Sequence, residues 1–386
     1  MKILFLVESY YPKTSGVPVV TKYLAEGLAK NGHDVSVVTT LVKDRCTEEV
    51  YNNVHIYRFD LRKTLSKKYV GDIIGYRKFV IAFKADANVF ECTECVTTDV
   101  LLPVLFQISG KKILHSHGFH GMKLKPFAWN ISLKYTIGNT YNWLRFKWYY
   151  NYYLKKYIHS FDAALCLSDV DSSKKWLEQN SKRVVVLQNA VDDMFDEPTS
   201  KLNIMPFVQL TKPYLVSVAV YAKVKDQIGI LHEFYKTNTD CALVFVGPVE
   251  NAYYNLLINE MHNLQKMAPS KKDVYVLLGI PRKAIPNIIG NASLYLCGSK
   301  AEEYSISLIE TMTKGVPFIS TNVGNARILP GGITIDDISE MHTYIDRLLA
   351  DKNAYDSLSA AGKTFVNENC RRNKAVEQLE KIIKEA

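Results

Sequence analysis

The sequence predicts a two-domain α/β protein in which each half is a doubly wound parallel sheet. Three observations lead there. The chain has 386 residues, and domains average about 100–200. Short apolar runs alternate with segments of helical periodicity along its whole length. The alternation lapses once, after Leu187, where Pro198 and Pro206 stand among mixed polar residues. The expected division is a first domain over 1–190, a linker over 191–212 and a second domain over 213–369. A C-terminal helix over 370–386 is expected to pack back on the first domain.

Lys2–Val7 (KILFLV) is a short apolar run and reads as a buried strand. A loop with Pro12, Ser15 and Gly16 follows. Val19, Val20, Tyr23, Leu24 and Leu28 then recur at helical spacing up to Asn31-Gly32, a good helix end. Asp34–Thr40 is the next strand, which completes a βαβ unit and implies parallel pairing with a right-handed crossover. Further strands are expected at Ala87–Phe90, Lys112–His115, Ala163–Leu167 and Arg183–Leu187. In the second half they are expected at Tyr214–Val220, Ala242–Val246, Val274–Leu278, Ser293–Leu296 and Pro317–Ser320. Helices are expected at Gln227–Tyr235, Tyr253–Lys266, Ser307–Thr313 and Glu340–Leu349. Ligands of such sheets bind beyond the carboxyl ends of the strands, and a cleft between two domains can hold a donor and an acceptor.

Composition narrows the function. Hydrophobic residues are 47% and charged residues 23%, ordinary for a globular chain. No window approaches eighteen consecutive apolar residues, and the N-terminal run is too short for a secretory signal. Seven scattered cysteines suit reduced thiols in a cytosol, and Cys92 and Cys95 read as a thiol pair in a loop. The formal net charge is +9. Val100–Phe161 contains no Asp or Glu and nine Lys and Arg, so it carries an excess equal to that of the whole chain. Such a field attracts phosphates or an anionic membrane surface. Met122–His159 adds twelve aromatics, Trp129 among them. Trp143, Phe146, Tyr150, Tyr153 and Tyr157 share one helical face, and Lys147, Asn151 and Lys155 another. The segment reads as a core helix with a thin solvated stripe, as a membrane-surface helix, or as a platform for sugar stacking. Nucleic acid is not expected as a partner: Arg is scarce here, and no helix-turn-helix, zinc or RNA-recognition signature is present. The expected location is cytoplasmic, peripheral on the inner face of the cell membrane.

Ser299–Ser320 (SKAEEYSISLIETMTKGVPFIS) carries the chemistry. Glu302 and Glu310 flank a turn and a helix start that Ser305 or Ser307 could cap. Free amides near Ser305 and Ile306 would favour a phosphate. On spacing alone, one capping carboxylate and one solvated carboxylate is the favoured reading of the pair.

The segment resembles the E-x7-E signature of the retaining glycosyltransferases of family 4, which have the GT-B fold of two Rossmann-like domains facing across a cleft. Here it reads Glu302, Glu303-Tyr304-Ser305, Glu310-Thr311-Met312-Thr313, then Gly315-Val316-Pro317-Phe318-Ile319. Tyr11-Pro12 to Ser15-Gly16, His115-Ser116-His117-Gly118, Gln188-Asn189-Ala190-Val191-Asp192 and Asn322-Val323-Gly324-Asn325 resemble further family segments in the same order. The resemblance implies that Glu310 holds the donor ribose and that Glu302 and His117 contact the transferred sugar, His115 being the alternative histidine. It implies that amides near Ser305 and Ile306, with Ser15, Gly16, Lys223, Lys225, Ser299 and Tyr304, bind the rest of the donor. Catalysis falls to His117, Glu302 and Lys225, and acceptor or membrane contact to Trp143, Tyr150, Lys147 and Lys155. The donor is expected to be a UDP- or GDP-sugar and the acceptor a saccharide or lipid-linked saccharide, with no cofactor. No Asp-x-Asp pair able to hold a metal is expected at a strand end, so no metal is required. The sequence departs from the pattern at Val220, where the family has Arg, at Ser15, where it has Gly, and at Glu303, an added negative charge. A sugar-nucleotide epimerase of the same fold and a catalytically weak sugar-nucleotide-binding partner are the rival readings.

Overall fold

The computed structural model describes residues 1–13, 16–64, 67–123, 133–200, 210, 212–267 and 272–386. Ser15, Trp129 and Pro206 lie outside the described residues. The chain divides into two compact units, Met1–Asn189 with Arg372–Ala386, and Ala190–Arg371.

The first unit opens with β1 (Lys2–Leu6), α1 (Val17–Lys30) and β2 (Asp34–Thr40). Both strands run parallel and are almost wholly buried, and α1 turns Val20, Tyr23, Leu24 and Leu28 inward. The next four strands were not expected from the sequence. They are β3 (Glu48–Tyr51) and β4 (Val54–Phe59), then the small ribbon of β5 (Leu61–Lys63) and β6 (Tyr69–Gly71). Asn52 and Asn53, both at positive φ, make the two-residue turn of the β3–β4 hairpin. Beyond them come α2 (Ile73–Phe83), β7 (Ala87–Glu91), α3 (Val96–Asp99), β8 (Lys111–His115), α4 (Leu133–Trp148), α5 (Lys155–Ile158), β9 (Ala163–Cys166), α6 (Lys174–Asn180) and β10 (Val184–Val186). The sheet order is β10-β9-β8-β7-β1-β2-β4-β3, parallel except for the edge strand β3.

The second unit holds β11 (Tyr214–Val218), α7 (Gln227–Lys236), β12 (Ala242–Gly247), α8 (Ala252–Met267), β13 (Val274–Leu278), α9 (Ile285–Gly290), β14 (Leu294–Cys297), α10 (Ile306–Lys314), β15 (Phe318–Thr321), β16 (Gly332–Ile335), α11 (Met341–Ala350) and α12 (Lys352–Asn369). The order β13-β12-β11-β14-β15-β16 is parallel throughout and reverses between β11 and β14. Successive strand residues feed opposite faces, Val216 and Tyr295 one core and Leu215 and Leu294 the other. Val191 and Phe195, within the stretch expected to be linker, are buried in the first of these cores.

The last helix, α13 (Arg372–Glu385), belongs to the first unit. Gly27 of α1 lets it approach: a Cβ there would stand 2.3 Å from Val376. Lys111 Nζ donates to the carbonyls of Ile383 and Lys384 at 2.9 and 2.8 Å, closing the end of α13.

The aromatic segment follows the core-helix reading, with Phe146, Tyr150, Tyr153 and Tyr157 packed in the first unit's core. Between α4 and α5 the chain makes a π-helical turn, Tyr149–Leu154. Its wider turn shifts the phase of the helix and carries Tyr149 and Tyr150 inward. Tyr150, expected with the contact face, is only 3% exposed. Its hydroxyl donates to Glu94, and its ring stacks on Phe119 at 4.4 Å. Lys147 and Lys155 are exposed and Trp143 is half-buried. The outward line is Ile137, Tyr141, Leu144, Trp148 and Tyr152, from 55% to 71% exposed.

Asp99 fixes this turn. Its carboxylate accepts from the hydroxyls of Tyr149 and Tyr69, both at 2.6 Å. Burial raises its pKa to about 6, against the pull of those two bonds. A carboxyl titrating near 6 in the native state and near 3.9 unfolded makes the native state less stable as pH rises from 4 to 6, by roughly 3 kcal/mol in total. Asp99→Asn removes that titration. Chemical denaturation of both proteins across this range should show the wild type losing stability relative to D99N as pH rises, and a flat difference would refute the assignment.

Candidate functional site

Where β11 and β14 separate, their carboxyl ends and the first turn of α10 enclose a cavity of about 310 Å³. This is the switch point at which an open α/β sheet receives ligands. Tyr295 ties the two strand ends together: its hydroxyl donates to the Val218 carbonyl at 2.9 Å.

Of the residues singled out in the sequence, Lys225, Ser299, Glu302, Tyr304, Ser305 and Ile306 line this cavity. Lys225 Nζ contacts Glu302 Oε1, and that oxygen also accepts from Ser299 Oγ at 3.0 Å. Cation and carboxylate therefore neutralise each other in the wall. Val220 lines it too, 51% exposed, at the position where the family pattern has an arginine. Lys223 is exposed and takes no part in the lining. Glu303, expected to add negative charge there, is buried and turned away from the cavity.

The start of α10 has no side-chain cap. Ser305 Oγ pairs with Ser307 Oγ at 3.1 Å instead of accepting from the helix. The Ser305 amide, expected to be free, donates to Asn325 Oδ1 at 2.7 Å. Gly324, at φ 55°, lies against the Glu302–Glu303 backbone, where a Cβ would meet the Glu302 carbonyl at 3.0 Å. The loop is thus braced from behind, and Ile306 and Ser307 present the first turn to the cavity.

Glu310 lies one turn further into α10, 3% exposed and outside the cavity wall. The Arg282 guanidinium grips both its oxygens, one at 3.4 Å, and stands 5.1 Å from the Phe195 ring. Burial raises the Glu310 pKa while Arg282 opposes it. Sequence reading missed Arg282; a lone arginine after Pro281 carries no local signal.

The remaining candidates are in the first unit. Gly16 caps α1 at φ 67°, ψ −146°, a conformation for glycine, with open space at its Cβ position. His117, also at positive φ, is nearly buried, and its Nε2 stands 2.5 Å from Glu91 Oε2. His115 Nδ1 is 3.0 Å from the same oxygen. Burial lowers the His117 pKa, as does His115, against the pull of Glu91. Burial alone would raise Glu91, but the two histidines outweigh it and hold it at about 2. Glu91 ends β7 in an apolar run and had no signal as a site residue.

Asp169-Val170-Asp171 follows β9. Its carboxylates are committed to the turn: Asp171 accepts from the amides of Leu167 and Ser173 at 2.8 and 2.7 Å, and Asp169 pairs with Lys174.

Comparison with known proteins finds two family matches. The family description "Glycosyltransferase Family 4" matches residues 14–195, and "Glycosyl transferases group 1" matches residues 206–365. N-acetyl-alpha-D-glucosaminyl L-malate synthase of Bacillus anthracis is 21% identical, over 96% of this chain and 94% of its own. One subunit of the phosphatidylinositol N-acetylglucosaminyltransferase of Arabidopsis thaliana is 21% identical, over 87% of this chain and 70% of its own. Among solved structures, sucrose-phosphate synthase of Thermosynechococcus elongatus superposes with a TM-score of 0.73 at 15% identity, covering 99% of this chain and 98% of that one. Anabaena Alr3699/HepE, solved with UDP, gives 0.70 at 13% over the whole of both chains. The two family matches follow one another along nearly the whole chain, on a fold shared with GT-B enzymes, and the protein belongs to the family 4 glycosyltransferases.

Proposed function

We propose that the protein transfers a hexose or related sugar, with retention at the anomeric carbon, from a UDP- or GDP-sugar to a saccharide or lipid-linked saccharide. The observation that carries this is the cavity at the β11–β14 switch point, which joins an uncapped helix start to a Lys225–Glu302 pair. A donor diphosphate fits against the Ile306 and Ser307 amides and draws Lys225 off Glu302. Glu302 then accepts from the sugar hydroxyls. Glu310 shares its carboxylate between Arg282 and the ribose. UDP is the favoured nucleotide, since Anabaena Alr3699/HepE was solved with UDP and with UDP-glucose.

The sugar–phosphate bond breaks through an oxocarbenium-like state. Charge growing on the leaving diphosphate is met by Lys225 and by the start of α10, the helix dipole contributing about 0.3–2 kcal/mol. The departing phosphate takes the acceptor's proton, and the family resemblance gives His117 a contact with the sugar. This route needs no metal at the diphosphate. Val220, in the arginine position, favours one rival, a binding partner with weak turnover; an epimerase of the same fold is the other. Incubation with purified sugar nucleotides and a short oligosaccharide separates the three as transfer, binding without turnover, or inversion at C2.

We further propose that the first unit rests on an anionic membrane surface. No helix among the described residues is long and apolar enough to cross a membrane. The exposed line Ile137, Tyr141, Leu144, Trp148 and Tyr152 nevertheless lies beside Lys147, Lys155 and Lys156, the arrangement of an interfacial helix.

Two outcomes test these readings. A UDP-sugar at a hundredfold excess over its Kd stabilises the wild type by about 2.7 kcal/mol. Glu310→Ala should remove most of that shift and lower transfer by roughly 10–100-fold, the loss of hydrogen bonds to a charged group; full transfer activity in a folded E310A would refute the site. The wild type should float with anionic liposomes and detach as salt is raised, while Trp148→Ser with Tyr152→Ser should bind weakly. Absence of salt-sensitive binding would count against the membrane contact.

A further inference from the structure

We infer that Arg282 is a positioning residue for the donor nucleotide: it sets the plane of the Glu310 carboxylate in the empty site, and so makes the protein select a nucleotide with both ribose hydroxyls. The inference rests on the proposed function, in which Glu310 meets the ribose, and adds a residue that acts through Glu310. Arg282 leaves the chain beyond the carboxyl end of β13, in the turn that leads into α9. Its guanidinium reaches Glu310 with both terminal nitrogens, Nη1 donating to Oε2 at 3.4 Å and Nη2 to Oε1. A fork of this kind aligns guanidinium and carboxylate in one plane. Phe195, 1% exposed, holds the guanidinium in turn, its ring centroid 5.1 Å away. That ring is itself fixed: the Phe195 amide donates to the Asp192 carbonyl at 2.9 Å, and the side chain shares a core with Ile285 of α9.

The arrangement does more than pair two charges. Among the described residues Glu310 has no other hydrogen-bond or ion-pair partner. A carboxylate offers about four lone-pair sites. The fork takes one on each oxygen and leaves one on each for a vicinal pair of hydroxyls, which is what a ribose presents. Arginine and ribose can therefore be held together, and no release of Arg282 is needed. The exposures are also unequal, 49% for the Arg282 side chain and 4% for that of Glu310. A half-exposed arginine gains little from an ion pair, whereas a buried carboxylate left without a cation takes up a proton. Burial and Asp192 both push Glu310 that way, and Arg282 opposes them. A neutral carboxyl would turn one acceptor oxygen into a donor and hold the hydroxyls less strongly. Arg282 thus supplies Glu310 with both its charge and its orientation.

The test uses the full chain. UDP and GDP are each titrated by calorimetry beside their dideoxyribose analogues, and donor KM and kcat are measured with the corresponding sugar nucleotides. The wild type should prefer the natural nucleotide by roughly tenfold or more. Arg282→Ala should cut that preference to about threefold or less and raise donor KM by roughly tenfold, with kcat within about twofold, because the ribose is held equally in ground and transition states. Arg282→Lys keeps the charge without the planar fork and should restore only part of the preference. In a Glu310→Ala background, Arg282→Ala should change neither quantity further, whereas a loss that did not pass through Glu310 would add. Lys283→Ala, which removes the next exposed charge, should leave both quantities unchanged. Preference retained in E310A would refute the ribose role of Glu310 itself, as would a wild type that binds neither nucleotide. Preference lost in E310A but intact in R282A would overturn this inference alone. Tighter binding in R282A, the mark of an arginine that a ligand must displace, or an additive loss in the double variant would overturn it equally.

Discussion

The cavity exists because the loop ahead of α10 is held from behind. Asn325 takes the Ser305 amide, and Gly324, at positive φ, packs against the Glu302–Glu303 backbone where a Cβ would be a tight 3.0 Å from it. These contacts fix the entry to the helix without using the amides of its first turn. Ser305 stands at the cap position and could have closed that turn, but its hydroxyl is spent on Ser307. A helix end left open in this way is costly unless something polar completes it. The bracing keeps it open while no ligand is bound.

Charge around the cavity follows the same logic. Lys225 is held by Glu302 and Arg282 by Glu310, so neither carboxylate nor cation stands alone. On the proposed function, a polyanionic ligand competes for Lys225 and releases Glu302 to accept from hydroxyls. Pairing of this kind lowers the cost of an empty site and sets the groups in position before the ligand arrives. Arg282 also stacks on Phe195, close to the point where the chain enters the second unit.

Much of the fold was legible because parallel strands buried on both faces read as unbroken apolar runs. β7, β12 and β13 fall within a residue of where the sequence puts them. The site was legible where its residues are neighbours in the chain, as from Ser299 to Glu310, and Lys225 entered through the family resemblance. Arg282 reaches Glu310 from 28 positions away, and Glu91 meets His117 from 26. No local pattern announces such pairs. The aromatic helix was legible as a core helix: Phe146, Tyr150, Tyr153 and Tyr157 all pack in the first unit's core, and what the periodicity could not announce was the π turn at Tyr149–Leu154 that brings Tyr149 in beside them. The Asp-x-Asp after β9 shows the converse: a pattern of the right form whose oxygens are used up by a turn.

The membership of α13 in the first unit has a consequence for biosynthesis. The chain finishes every strand of the first sheet by Val186 and then makes all of Ala190–Arg371 before the helix that covers α1 appears. At ribosomal speeds of about 5–20 residues per second, that interval lasts roughly ten to forty seconds. Throughout it the groove along Gly27 is bare, and by its end the intervening unit has its whole sequence. The inserted half can therefore reach its native state first, and the discontinuous half is sealed last.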